Sequence, residues 1–290
     1  FWLKTLEHRT GCGACHWPRP AGVCGPAGGR AGTMANNAAG EAFTWTPKEA
    51  RAMAVSQSGA SNCGATALLN VLAALKVPVP DVHTAERAVH TNSRKYGVSV
   101  SEYLAARSIA GCTGENIVSG CNSVAGKDVT SRFFAFHPPR RVDLRHWLAV
   151  WLSRGCSAVA TLNTQRMYDA DYWHHQMIFG VSAEGVSVTN GIEVLSFDEI
   201  STGLESPSML QIRASDALGC FPFDADACNA LGDEWTKLRV TEQLKELKEG
   251  RSKERFVYIP AAYRAGITIF AVKGTPALQA LQEAEELPLM

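Results

Sequence analysis

The chain offers one stretch whose residue types and spacing suit covalent chemistry. Gln57-Ser-Gly-Ala-Ser-Asn-Cys63 runs directly into Gly-Ala-Thr-Ala-Leu-Leu-Asn-Val-Leu-Ala-Ala-Leu75. The glutamine stands six residues before the cysteine, and the cysteine opens an almost wholly apolar helix. A thiol at a helix N-terminus feels the positive end of the helix dipole, which favours the nucleophilic thiolate. A glutamine amide close by suits the oxygen that becomes negative when such a thiolate attacks a carbonyl. Cys63 is thus the candidate nucleophile, and Gln57 the candidate oxyanion donor. The bland alternative is a buried structural cysteine, the commoner fate of that residue type.

A thiolate nucleophile needs a base and a group that orients the base. His8 and His16 lie in a stretch without periodicity. His83, His90 and His146 fall in helix-like stretches, and His137 precedes Pro138-Pro139 in a turn. His174 and His175 remain. They stand before an apolar run that reads as a strand over 175–181, a Ser182-Ala-Glu-Gly185 turn and a second strand over 186–190. Such a hairpin sets His174 beside Asn190, which makes Asn190 the candidate orienter. The doublet leaves a choice, because His175 points to the opposite face of a strand. His174 is preferred for its spacing to Gly180 and to Asn190. Asp169 and Asp171 read as solvated loop carboxylates or as contacts for a cationic substrate group. Tyr172 and Trp173 read as cleft lining or as packing beneath the hairpin. Cys112, Cys121 and Cys156 have no glutamine at the right offset.

The Gln-x5-Cys-Gly opening, a histidine six residues before Gly180, and Asn190 sixteen residues after that histidine resemble the papain-like cysteine peptidase superfamily. The local texture is closest to the peptidase domains of bacteriocin-processing transporters and their soluble relatives. Asn62, Ala65 and Asn190 stand where that branch has Asp, Pro and Asp, and the match spans about residues 50–215. The resemblance implies an α+β, papain-like fold: a central buried helix carrying Cys63, packed on an antiparallel sheet carrying His174 and Asn190. It implies amide hydrolysis of a peptide or protein substrate through a Cys63 thioester, without cofactor or metal. Gln57 and the Cys63 N–H would form the oxyanion hole. An acyltransferase is the alternative, since Gln-Ser-x4-Cys-Gly also resembles phytochelatin synthase. A third possibility is a papain-like shell used only for binding.

The remaining elements must position these residues. The helix from Cys63 is apolar all round, so it reads as buried, ending at Pro78 and Pro80. Residues 44–49 read as a short helix or turn. Helices are expected over 82–96, 98–110 (with Ser99 or Ser101 near its cap) and 142–154. Residues 111–126, rich in Gly, Ser and Asn, read as loop. Cys156–Leu162 reads as a buried strand, and Ser196-Phe-Asp-Glu199 has capping-box spacing. Strands follow at 209–213, 255–260 and 266–272, the last two expected to extend the main sheet. A loop over 216–229, a charged helix over 234–250 and a helical, acidic tail from Thr275 to Leu287 complete the reading.

At 46% hydrophobic residues the chain has ample material for a core, and 28 basic residues balance 28 acidic ones. Zero net charge gives no broad electrostatic case for nucleic acid or an anionic membrane. No apolar run reaches the ~20 residues of a spanning helix. The odd cysteine count, nine, points to reduced thiols in a cytoplasmic protein rather than a disulfide framework. Residues 1–33 read as a disordered leader or an extension before a start at Met34, 34–273 as the catalytic domain, and 274–290 as a tail. Cys12, Cys15 and His16 match a haem-attachment pattern, and Cys24 adds a fourth potential zinc ligand. In a stretch of this composition both read as chance.

Overall fold

The computed structural model describes residues 41–167 and 172–290. The leader cysteines, His16, Asp169 and Asp171 lie outside them. In chain order the elements are β1 (Ala42–Phe43), α1 (Pro47–Met53), α2 (Cys63–Ala74), α3 (Val82–Ala88), α4 (Val100–Ile109), α5 (Gly114–Ala125), β2 (Val129–Ala135), α6 (Leu144–Ser153), β3 (Ser157–Leu162) and β4 (His174–Val181). Then follow β5 (Val186–Val188), β6 (Glu193–Leu195), α7 (Phe197–Leu204), β7 (Met209–Arg213), α8 (Ala214–Leu218), a 3-10 segment (Ala225–Leu231), α9 (Asp233–Lys237), α10 (Val240–Lys248), β8 (Phe256–Pro260), β9 (Gly266–Val272) and α11 (Pro276–Glu283).

The protein is α+β, built on an antiparallel sheet in the order β2-β9-β3-β4-β5-β6, with β1 also paired to β4. Helices cover both faces, and the alternation of strand side chains divides the core between them. Val159, Met177, Phe179 and Phe270 face α2, where Leu68, Leu69, Val71 and Leu72 are fully buried. Ala158, Ala160, Leu162, Ile178 and Ile269 face the opposite way, onto Leu148, Trp151, Leu204 and Leu281. Burying each large side chain is worth roughly 1.5–3 kcal/mol, so α2 is held by its whole circumference. The C-terminal α11 joins this second layer through Ala277 and Leu281.

A third cluster packs beside the sheet. It contains α4, a two-stranded β7-β8 sheet and the helices α8 to α10. Of the two late strands expected to extend the main sheet, only β9 does so. β8 pairs with β7 instead. The acidic Asp224 ties the cluster together by accepting from the Ser101 N–H at 3.0 Å and its hydroxyl at 2.5 Å.

Other departures have local causes. Residues 114–125 form α5 rather than a loop, because Thr113 and Asn116 make a reciprocal capping box and Ile117, Cys121 and Ala125 share a buried stripe. Gly120 lets α5 lie against α3, since a Cβ there would meet Val89 Cγ1 at 2.6 Å. The charged helix over 234–250 is two helices. Trp235 and Val240, both buried, are five residues apart, and Arg239 in the left-handed region (φ 53°) resets the helical phase so that both face the core. The helix expected over 82–96 stops at Ala88, and the 216–229 loop contains a helical end and a 3-10 segment. The capping box at Ser196 and Glu199 starts α7 as its spacing predicts. No helix among the described residues is long and apolar enough to cross a membrane.

Candidate active site

Cys63 is the first residue of α2, and 7% of it is exposed. The Asn62 cap does not close the helix end. Its side-chain amide turns outward to the Ser58 hydroxyl at 3.1 Å and to the Glu86 carboxylate. The first helical N–H groups are therefore left to the sulfur. Burial raises the Cys63 thiol above its usual range; main-chain N–H groups of His175, Gly64 and Cys63 itself, and the charge of Arg94, pull the other way. The expected lowering by the helix dipole is present in kind, but desolvation outweighs it. Cys121 and Cys156, also buried, are pushed up to about 11 and about 12.

The N–H of His175 directed at this sulfur has a structural meaning. It belongs to the peptide that joins His174 to His175, so the start of β4 meets the start of α2. The two rings then part. His174 is half-buried, with Nε2 at 3.2 Å from the Asn190 side-chain amide. Asn190 sits in the left-handed region (φ 66°), a conformation that asparagine tolerates better than most residues. Tyr172 packs edge-on against the His174 ring, with centroids 5.7 Å apart. His175 turns to the α2 face and is buried. Its Nδ1 is 3.0 Å from the Thr161 hydroxyl, and its Nε2 is 2.8 Å from the Cys112 carbonyl oxygen.

Both imidazoles are held neutral. Burial lowers His174 to about 3, assisted by the charge of His175. Burial lowers His175 to about 4, against the Cys112 carbonyl and Glu115. Among the described residues the Cys63 sulfur has no hydrogen bond to either ring. The site at rest is therefore a neutral thiol beside neutral imidazoles rather than an ion pair.

Gln57 does not point at the cleft. Its Nε2 donates to the Gly59 carbonyl at 2.5 Å, and the same carbonyl accepts from the Asn62 N–H at 3.2 Å. A tight turn just before the helix captures the amide that the sequence assigns to the oxyanion, although Nε2 keeps a second hydrogen.

Cys63 opens into a narrow cleft between α2 and the third cluster, with an interior volume of about 20 Å³. Tyr172, Trp173, Tyr263, Arg94 and Arg107 line it. Trp173 stacks on Tyr263 at 5.6 Å and donates its indole N–H to Met209 O at 3.1 Å, so it both packs and lines. Sequence reasoning missed Arg94, Arg107 and Tyr263. They come from a loop, α4 and the β8–β9 connection, and no local spacing relates them to Cys63. Gly64 is required by crowding, since a Cβ there would lie 2.1 Å from Cys112 Sγ and 3.4 Å from His175 Cδ2. No group of side chains suited to a metal ion occurs among the described residues.

Compared with known proteins, the chain matches no family model, and no curated protein is similar to it at a significant level.

Proposed function

We propose that this protein is a cysteine peptidase of papain-like design. It cleaves an amide by acyl transfer to Cys63 followed by hydrolysis. The observation that carries the reading is the meeting of two element starts: the thiol at the head of α2 faces the main-chain N–H between His174 and His175, while the His174 ring is held by Asn190. A buried helix bearing the cysteine, packed on an antiparallel sheet whose β4 bears the histidine and whose turn after β5 bears the asparagine, supports the same reading.

In the first step the Cys63 S–H proton passes to the His174 imidazole as the sulfur attacks the carbonyl carbon. A C–S bond forms, and the carbonyl π pair moves to oxygen. The main-chain N–H groups of Cys63 and Gly64, which face the sulfur, would receive that oxyanion. Collapse breaks the C–N bond, and the imidazolium gives its proton to the leaving amine. Water, deprotonated by the imidazole, then attacks the thioester, the C–S bond breaks and the thiol is restored. Asn190 suits this cycle because an amide offers both a donor and an acceptor, so it serves either tautomer of the ring. Being neutral, it offers no counter-charge, which is why burial governs the resting imidazole.

The test is the alkylation rate of each cysteine across pH, read by mass spectrometry, in wild type, His174→Ala and His175→Ala. The reading expects Cys63 to react faster than Cys112 and Cys156 and to lose that advantage with His174. Loss with His175 alone moves the base to the neighbouring residue. Equal reactivity of all three thiols in every protein ends the enzyme reading.

A further inference from the structure

We infer that the cleft selects a substrate bearing a carboxylate, which Arg94 receives beside the acyl group attacked by Cys63. The inference rests on the peptidase reading and adds its substrate class. Arg94 lines the same cleft as the thiol, and its charge acts on both Cys63 and Tyr263. It is half-buried, and it makes no hydrogen bond or ion pair with any described residue. The buried Arg107, 3% exposed, also lines the cleft and is engaged by partners of its own. No carboxylate occurs among the described residues that line the cleft.

A half-buried guanidinium that no described residue engages is available to an anion on binding. Its planar fork matches a carboxylate through two parallel hydrogen bonds. The amide substrate of a thiol acyl transfer carries carboxylates as its natural anions, either on an acidic side chain or at a free α-carboxyl of a side-chain-linked donor. At rest the cleft is small, with an interior of about 20 Å³ between its aromatic walls, so a substrate carboxylate enters by parting them at its open mouth. Leu210, Trp173 and Tyr263 line the same cleft as Arg94, so a bound ion pair would sit among low-dielectric surfaces that strengthen it.

Two pairs of peptidyl chloromethyl ketones test this on the full chain. One pair carries an aspartate next to the ketone, as the free acid or its methyl ester. The other carries the ketone on the side chain of an acidic residue whose α-carboxyl is free or methylated. The readout is the rate of Cys63 alkylation by peptide mass spectrometry. A charge-assisted contact predicts that the acid of one pair reacts about 10- to 100-fold faster than its ester, and that pair identifies the carboxylate. Arg94→Gln brings the ratio to about one, while Arg94→Lys keeps part of it. Equal rates within both pairs, or a ratio that survives Arg94→Gln, overturn the carboxylate inference and leave the peptidase reading standing. Failure of every probe to modify Cys63 overturns both.

Discussion

His174 and His175 hold consecutive positions of β4, yet their surroundings differ in kind. The His174 ring meets the Asn190 side-chain amide and the edge of Tyr172, a residue of the cleft wall. The His175 ring fills a closed site between β3 and the start of α5, with a partner on each nitrogen. Both are neutral because both are desolvated. The difference is that, among the described residues, the His174 ring has a hydrogen-bond partner at Nε2 alone, whereas His175 has one at each nitrogen. Burial alone therefore does not tell the two rings apart; their hydrogen-bond partners do.

The largest expected effect tests whether the cleft is catalytic at all. Cys63→Ala should remove amide cleavage almost entirely, by about 10⁵-fold or more if the group acts as the nucleophile, with little change in thermal melting. The next separates the two histidines. His174→Ala should lower turnover by about 10²- to 10⁴-fold, the usual worth of a general base. His175→Ala should instead destabilise the fold by about 2–4 kcal/mol in denaturant titration, through the cavity and two orphaned partners. The reverse pattern would exchange their roles.

Acid sensitivity comes third. Each ring stays neutral in the fold down to about 3 or about 4, whereas in the unfolded chain it takes up a proton below 6.5. The unfolded state thus binds more protons in that window. Stability is full above pH 6.5 and declines toward pH 4, with His175 contributing on the order of 3 kcal/mol. Guanidinium melts at several pH values should show the slope, and His175→Gln should flatten it. A flat wild-type profile would refute the neutral, buried state of both rings.

Asn190→Asp gives a smaller, sharper effect. A carboxylate at that position should raise the His174 pKa by about 1–3 units, moving the acid limb of the alkylation profile upward while leaving the His175 environment alone. NMR titration of the two rings reads this directly. The smallest change is Gly64→Ala, which should cost about 1–3 kcal/mol by overpacking against Cys112 and His175. An unchanged melting temperature would mean that the wall between the two histidine sites gives way easily.

Much of this arrangement is legible along the chain. The apolar run after Cys63 demands burial on every side, and α2 is the helix buried between the sheet and α3 and α5. The turn between β4 and β5 and the capping boxes at Thr46 and Ser196 are local signals, and local hydrogen bonds honour them. The α5 helix was hidden because its glycines and serines mask a stripe that matters only once α3 lies against it. β8 pairs with β7 rather than with the main sheet, and both are buried on one face only, whereas β9 inside the main sheet is buried on both; the apolar run Phe256–Pro260 does not announce that difference. Likewise Gln57 has the right type and offset, but a turn carbonyl three-dimensionally nearer than the cleft takes its amide.

The sequence by itself determined the buried α2 helix, the position of Cys63 at its head and the hairpin that brings Asn190 to His174, because periodicity and turn chemistry act over a few residues. Tertiary structure alone decided which partners each histidine ring meets, that the thiol is raised rather than lowered, and that Arg94, Arg107 and Tyr263 line the cleft it opens into. Those outcomes depend on desolvation and on side chains brought together from distant segments, and neither is encoded in the spacing of neighbours.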